Sequence, residues 1–195
     1  MGTVFRPTGE TAQLRTLEVL TSAFVEDPVE RWLFPTDDDY RTAFPQFLMA
    51  FGGRAFEVGT VWAFDDFSAV AMWLPPGVEA DGEAILAVLK RSVTGDKHED
   101  TFAVLEQMDA AHPTYPHWYL PWLGVDAGYQ GQGLGGELLN FCLAIVDSAQ
   151  LPAYLESPNP RNVSLYVRHG FEVCGVAQSG ACPPVTLMER PVSGR

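Results

Sequence analysis

Between His117 and Ala149 the chain passes in close order through HWYLPWLGV, then DAGYQ, then GQGLGGELLNF. The first is an apolar strand that carries a proline. The last opens a helix with Leu134, Leu138, Cys142, Ile145 and Val146 on one face, running through about Ala149. Gly131, Gly133 and Gly136 sit between them in G-x-G-x-x-G order. Without Cβ atoms, glycines let successive backbone N–H groups converge, and the helix beyond adds the positive end of its dipole, so the junction suits an anion such as a pyrophosphate. No Lys or Arg occurs between Lys97 and Arg161, so an anion bound here is held by backbone. Pro121 inside the strand implies an edge or a bulge, and a bulged strand opens a gap in its sheet.

The same spacing is formally a dinucleotide-binding fingerprint, with Glu156 about 20 residues further on at the end of a strand. Two features oppose that reading. Five residues, Asp126 to Gln130, separate the strand from the first glycine, where the dinucleotide turn is tight, and too little chain follows for a doubly wound sheet. A Walker-type phosphate loop is excluded, because no Lys-Ser or Lys-Thr pair follows the glycines. A glycine-rich helix start without a ligand is the bland alternative.

The remaining pattern fits one domain over residues 1–195: the chain is 47% hydrophobic, with no internal repeat and no low-complexity linker. Leu14, Leu17, Leu20 and Phe24 predict a first helix, stopped at Asp27-Pro28; Tyr40, Phe44, Phe47, Leu48 and Phe51 predict a second, ending near Gly52-Gly53 or a turn later. Thr60 to Phe64 and Ser68 to Leu74 read as an antiparallel hairpin. Residues 79–93 and 99–111 read as helices, Pro152 to Glu156 as a short strand, and Pro160 to His169 as a helix stopped by Gly170. Phe171 to Ala177 and Val185 to Glu189 close the chain as strands.

The net charge of −13 argues against a nucleic-acid or anionic-membrane partner, and no apolar run approaches the roughly 20 residues of a spanning helix. No signal peptide is visible, which makes the cytoplasm the expected compartment. Cys142, Cys174 and Cys182 are odd in number and lack C-x-x-C spacing, so buried or inert thiols are expected rather than disulfides or a zinc site. His112 and His117 flank a Pro-Thr-Tyr-Pro turn without a metal-ligand pattern, and His117 reads as structural.

The runs LGVDAGYQGQGLGGELL and YLESPNPRNVSLYVRHGFEV together resemble the acetyl-coenzyme A motif pair of the GNAT superfamily of N-acetyltransferases. Gln130, Gly133 and Gly135 match the first motif, and Leu165, Tyr166, Gly170 and Phe171 the second. The texture of VWAFDD, AVAMWLPP, HWYL and YLES with PRN is similar to puromycin N-acetyltransferase and its actinobacterial relatives, over roughly residues 58 to 175. Ala127 departs from the pattern, since many members carry proline there. The resemblance implies a mixed α/β fold: a mostly antiparallel central sheet, splayed at the bulged strand before the glycine loop, with helices on both faces. It also implies an acetyl-coenzyme A core at about 116–190 and a variable acceptor part at about 1–115.

For function, it implies transfer of an acetyl group from acetyl-coenzyme A to a primary amine of a small molecule, by direct attack in a ternary complex and without a metal. The pantetheine arm would lie along Leu123, Gly124 and Val125, one of the last two offering its N–H to the developing oxyanion. The pyrophosphate would meet the N–H groups of Gln130, Gly131, Gln132, Gly133, Leu134, Gly135 and Gly136. Tyr166 is the expected acid for the leaving thiolate, although such a tyrosine also suits a core. Glu156 is the expected base, although a strand-end carboxylate also suits solvent or a helix cap. Asn159 or Asn162 would contact coenzyme A, and Arg161 and Arg168 its ribose phosphate. For the acceptor, the acidic stretch around Glu30 and Asp37 to Asp39, with Trp32, Phe34 and Trp73, suits a cationic or aromatic amine. A monomer or homodimer is expected. The competing readings are a catalytically silent acetyl-coenzyme A sensor and a dinucleotide-binding module.

Overall fold

The computed structural model describes residues 2–192. Seven strands form one sheet: β1 (Val4–Phe5), β2 (Val61–Phe64), β3 (Ala69–Leu74), β4 (Trp118–Val125), β5 (Ala153–Ser157), β6 (Glu172–Ala177) and β7 (Val185–Arg190). Their order is β1-β2-β3-β4-β5-β7-β6, antiparallel throughout except for the parallel pair β4–β5. The helices are α1 (Glu10–Ala23), α2 (Pro28–Leu33), α3 (Asp37–Gly52), α4 (Arg54–Glu57), α5 (Gly82–Ser92), α6 (His98–Ala111), α7 (Leu134–Ser148) and α8 (Pro160–Arg168).

The sheet is covered on both faces, so its central strands read as nearly continuous apolar runs. Along β3 the alternation of side chains divides the core. Val70, Met72 and Leu74 pack with Leu20, Phe44, Leu48 and Trp122 on the face of α1, α3 and α5, whereas Ala69, Ala71 and Trp73 pack with Leu138, Cys142 and Val146 on the face of α7.

Pro121 lies in a central strand, and the structure accommodates it in the way the sequence predicts. Met72 pairs with Trp122, yet Leu74 pairs with Tyr119, so two steps along β3 meet three along β4. The extra residue is a bulge at Leu120 and Pro121, where a missing N–H costs no ladder bond. On its other edge β4 pairs with β5 only at Trp118–Ala153 and Tyr119–Tyr154. Beyond Tyr119 the two strands part, and the expected gap is formed.

Two elements escape the sequence reading. The strand β1 is two residues long and pairs with β2 at the sheet edge. Asp27-Pro28 ends α1 as expected but also begins α2: Pro28 occupies the first helical turn, and the Asp27 carboxylate accepts from the N–H groups of Val29 at 3.0 Å and Glu30 at 3.3 Å. No helix among the described residues is long and apolar enough to cross a membrane.

Candidate active site

The glycine loop leaves its backbone open. Gly131 and Gly133 have φ of +77° and +83°, and a Cβ built on either would meet nothing within 4 Å. Gly133 is the left-handed residue before α7, and Glu137 is the first to donate into that helix, to the Gly133 carbonyl at 3.1 Å. Among the described residues, no N–H from Gln130 to Gly136 donates to another protein group. Gln130 to Gly133 are exposed and Leu134 to Gly136 half-buried, so these undonated N–H groups gather at a helix N-terminus, which is what an anion requires. The Gln130 side chain is otherwise engaged, reaching the carbonyls of Val125 at 3.1 Å and Ala23 at 3.4 Å and tying the loop to β4 and α1.

Leu123, Gly124 and Val125 pair with Ala71, Val70 and Ala69 on one edge, and their other edge faces the gap left by β5. Gly124 has a packing reason of its own: a Cβ there would come within 2.8 Å of Ala23 and 2.9 Å of Leu20. On the far side of the gap Asn159 caps α8, its Oδ1 accepting from Arg161 N at 3.1 Å, whereas Asn162 makes no side-chain bond of that kind. Arg161 and Arg168 are exposed on the same helix. Tyr166 is buried against Phe171, with ring centroids 5.9 Å apart. Burial, assisted by the Asp27 carboxyl, pushes its phenol well above the ordinary range, so it keeps its proton at any working pH.

A second cavity opens on the opposite face of the sheet, between α2, α3, α5, α6 and the ends of β4 and β5. It holds about 630 Å³ of unfilled space, mouth included, and its walls are mostly apolar, among them Leu33, Phe47, Phe51, Val104, Met108 and Trp122. Trp122 is the hub of that wall: Phe24, Phe44, Phe47 and Phe51 surround it, and its indole donates to the Leu48 carbonyl at 3.1 Å. Two carboxyls, Glu30 and Glu156, also line it. Trp32 and Trp73, the two tryptophans expected at the acceptor site, do not. Trp73 is fully buried on the α7 face against Trp118, and the Trp32 ring is covered by Lys97 of this same chain, with Nζ 5.1 Å from its centroid.

Glu156 is the penultimate residue of β5, with a side chain only 8% exposed. Tyr119 donates to its Oε2 at 2.5 Å, and Glu156 together with burial keeps that phenol protonated. Its Oε1 lies 3.6 Å from His112 Nδ1. The imidazole tautomers beyond follow from a fixed end. His117 Nδ1 is 2.8 Å from the Tyr115 carbonyl, which only accepts, so Nδ1 carries the proton and neutral His117 presents a lone pair at Nε2. His112 Nε2 lies 3.0 Å from that atom and donates to it, which turns His112 Nδ1 toward Glu156. Burial lowers the His117 pKa, which favours this neutral arrangement. Sequence reading missed Tyr119, Trp122 and His112; alternation along β4 could have flagged the first two had the bulge been counted.

The acidic pair on α2 is unusual in a different way. Asp27 is buried, and desolvation raises its pKa to about 6 despite its two backbone hydrogen bonds. Glu30 is raised further by burial and by Asp27 beside it. Other nucleophiles are quiet. All three cysteines are free; Cys182 lines the cavity with its thiol pushed up to about 11 by burial, Cys142 is buried, and Cys174 is exposed, its thiol raised by desolvation and by nearby Glu189. The Ser157 hydroxyl donates to the Asn159 carbonyl at 3.1 Å, with no base beside it. Among the described residues no group of three His, Cys, Asp or Glu could hold a metal ion.

A splayed β4–β5 pair, an open glycine loop before α7 and a carboxylate at the end of β5 define a mixed α/β acyltransferase fold. The chain belongs to the acetyltransferase (GNAT) family, whose model matches residues 36–171. It is 28% identical over 172 residues to an uncharacterized N-acetyltransferase of Schizosaccharomyces pombe, covering 78% of this chain and 67% of the relative. Among solved structures it superposes on a protein described as histone acetyltransferase HPA2 and related acetyltransferase from Corynebacterium glutamicum. There the TM-score is 0.69 at 23% identity, over 100% of this chain and 99% of that one. A Drosophila melanogaster polyamine N-acetyltransferase that forms N-acetylagmatine gives a TM-score of 0.61 at 14% identity, over 96% of this chain and 98% of that one. At these identities the structural likeness carries the fold.

Proposed function

We propose that this protein moves the acetyl group of acetyl-coenzyme A to the primary amine of a small molecule, by direct attack in a ternary complex. The observation that carries this reading is the gap between β4 and β5, with an open backbone cradle at Gln130 to Gly136 on one side and a cavity containing Glu156 on the other. The residues present fit acetyl-coenzyme A: free N–H groups for a pyrophosphate, and the unpaired edge of Leu123 to Val125 for the pantetheine arm. Bound there, it supplies an activated acyl carbon. The Asn162 amide is the better placed of the two asparagines for a contact, since the Asn159 oxygen serves the helix cap.

The chain's own groups divide the proton work. Glu156 takes the proton of the attacking amine at Oε1, because Tyr119 occupies Oε2. His112 Nδ1, turned toward Glu156 by the line of contacts from Tyr115 through His117, passes that proton onward toward solvent. The N–H of Gly124 or Val125 meets the charge developing on the acyl oxygen, and Tyr166 donates to the departing sulfur. Cys182, its thiol raised by burial, and Ser157, bonded to the Asn159 carbonyl, are poorly set up to carry an acyl intermediate, which favours direct attack.

Calorimetric titration with acetyl-coenzyme A beside NADH, followed by thiol release with a panel of amines, tests the reading. Micromolar binding of acetyl-coenzyme A together with amine-dependent thiol release supports it. Binding without release under every amine returns the protein to the silent sensor, and NADH binding alone returns the glycine loop to a dinucleotide site.

A further inference from the structure

Glu30 is a carboxyl that the transfer chemistry leaves unused. It lines the acceptor cavity, is 3% exposed, and its Oε2 is buried without a hydrogen-bond partner. The groups around it are largely committed elsewhere, and the one cationic neighbour with a spare group is Arg31, whose Nη1 is buried without a partner and makes no bond to Glu30. Asp27 spends its carboxylate on the N–H groups of Val29 and Glu30, and the Tyr40 hydroxyl donates to the Thr21 carbonyl at 2.8 Å. Arg31 pairs with Asp37 at 3.0 Å, Lys97 donates to the Trp32 carbonyl at 2.5 Å, and Asp100 accepts from Ser179 and Ala181. Cys182 stays a thiol. Among the described residues the only other carboxyl lining the cavity is Glu156, on a different element, and apolar side chains such as Phe47, Met108 and Trp122 share the lining with the two.

An unpaired carboxyl in an apolar wall is costly, and an arriving cation removes the cost by giving it a partner. We propose that Glu30 anchors a second cationic group of the acceptor. The acceptor is then a diamine or guanidinoalkylamine with an apolar spacer, its reacting amine at Glu156 and its far ammonium or guanidinium at Glu30. This rests on the acetyl-transfer reading for the role of Glu156. The apolar cavity wall selects the spacer, and the two carboxyls select charge at both ends, so an alkylamine of equal length fills the same space and leaves Glu30 unpaired.

The test compares α,ω-diamines from diaminopropane to diaminohexane with alkyl monoamines of equal chain length, using thiol release at saturating acetyl-coenzyme A. The best diamine should exceed its matched monoamine in kcat/KM by roughly 30-fold or more, and Glu30→Gln should bring that ratio to within about threefold. Equal rates for the two classes in the unaltered protein, or a ratio that survives Glu30→Gln, overturns the anchor. Thermal melting gives a readout that needs no turnover: the same diamine should raise Tm in the unaltered protein and not in Glu30→Gln. Failure of acetyl-coenzyme A to bind would sink the transfer reading instead, and the melting comparison still decides the anchor. Glu30→Met, which removes the carboxyl and keeps the length, repeats both measurements if the Gln variant does not fold.

Discussion

The two sides of the β4–β5 gap are made of different material. The side that faces the glycine loop is built from backbone, with the open N–H groups of Gln130 to Gly136 and the free edge of β4. The acceptor side is built from side chains on α2, α3, α5, α6, β4, β5 and β7, and its polar groups include Glu30, Thr101, Tyr119 and Glu156, with His112 behind Glu156. A backbone site tolerates change in most side chains but little change in conformation. A side-chain site can be retuned one residue at a time, and a fold keeps the first while varying the second.

The sharpest break of that contrast is Gly133→Val. A left-handed β-branched residue is strained by an estimated 1–2 kcal/mol, and with open space around its Cβ the fold should survive. Acetyl-coenzyme A affinity should drop about 100-fold or more by calorimetry, with circular dichroism unchanged. On the acceptor side Glu156→Gln should lower kcat by roughly 100- to 1,000-fold while leaving acetyl-coenzyme A affinity within about threefold. Tyr166→Phe should cost less, about 10- to 100-fold in kcat, since only the leaving-group acid is lost. An unchanged kcat would remove that phenol from the chemistry.

His112→Ala sharpens the comparison further. It should lower kcat about 5- to 20-fold with KM little changed, shift the pH profile, and respond to added imidazole, which a purely structural histidine would not. The smallest effect concerns stability. The folded Asp27 pKa lies above its ordinary value of 3.8, at about 6, so the folded state binds the proton more tightly. Stability from this group is then fully present below about pH 4 and declines as pH rises through about 6. Glu30, raised in the same direction, extends the decline upward. Melting curves at pH 5 and pH 7.5 should show it, and Asp27→Asn, which keeps a capping oxygen, should flatten the slope by on the order of 1–2 kcal/mol.

What could be read from sequence follows the same division. The glycine loop, the bulge at Pro121 and the gap it opens are local, because each depends on residues adjacent in the chain. Asp27-Pro28 carried two local signals, a stop and a start, and only the stop was legible without the cap geometry. The acceptor wall is not local at all. Composition points to Glu30, Trp32 and Trp73 together, and of the three the cavity is lined only by Glu30, because counting aromatic residues does not say which face of a sheet they occupy. Trp73 alternates with Met72 and Leu74 and so falls on the α7 face. The contact of His112 with Glu156 joins the end of α6 to the end of β5, and no spacing within either element announces it.

Gly124 ties the two materials together. Its missing Cβ lets α1 rest directly on the strand, with Ala23 and Leu20 in the space a side chain would take, and Gln130 reaches across to the Ala23 carbonyl. For a protein engineer this is the seam along which parts are exchanged. An acceptor-binding segment grafted from another scaffold has to bring a small residue to the Ala23 position and a free carbonyl beside it. A graft that supplies a bulkier helix would push on β4 and reshape the donor side without altering one of its residues.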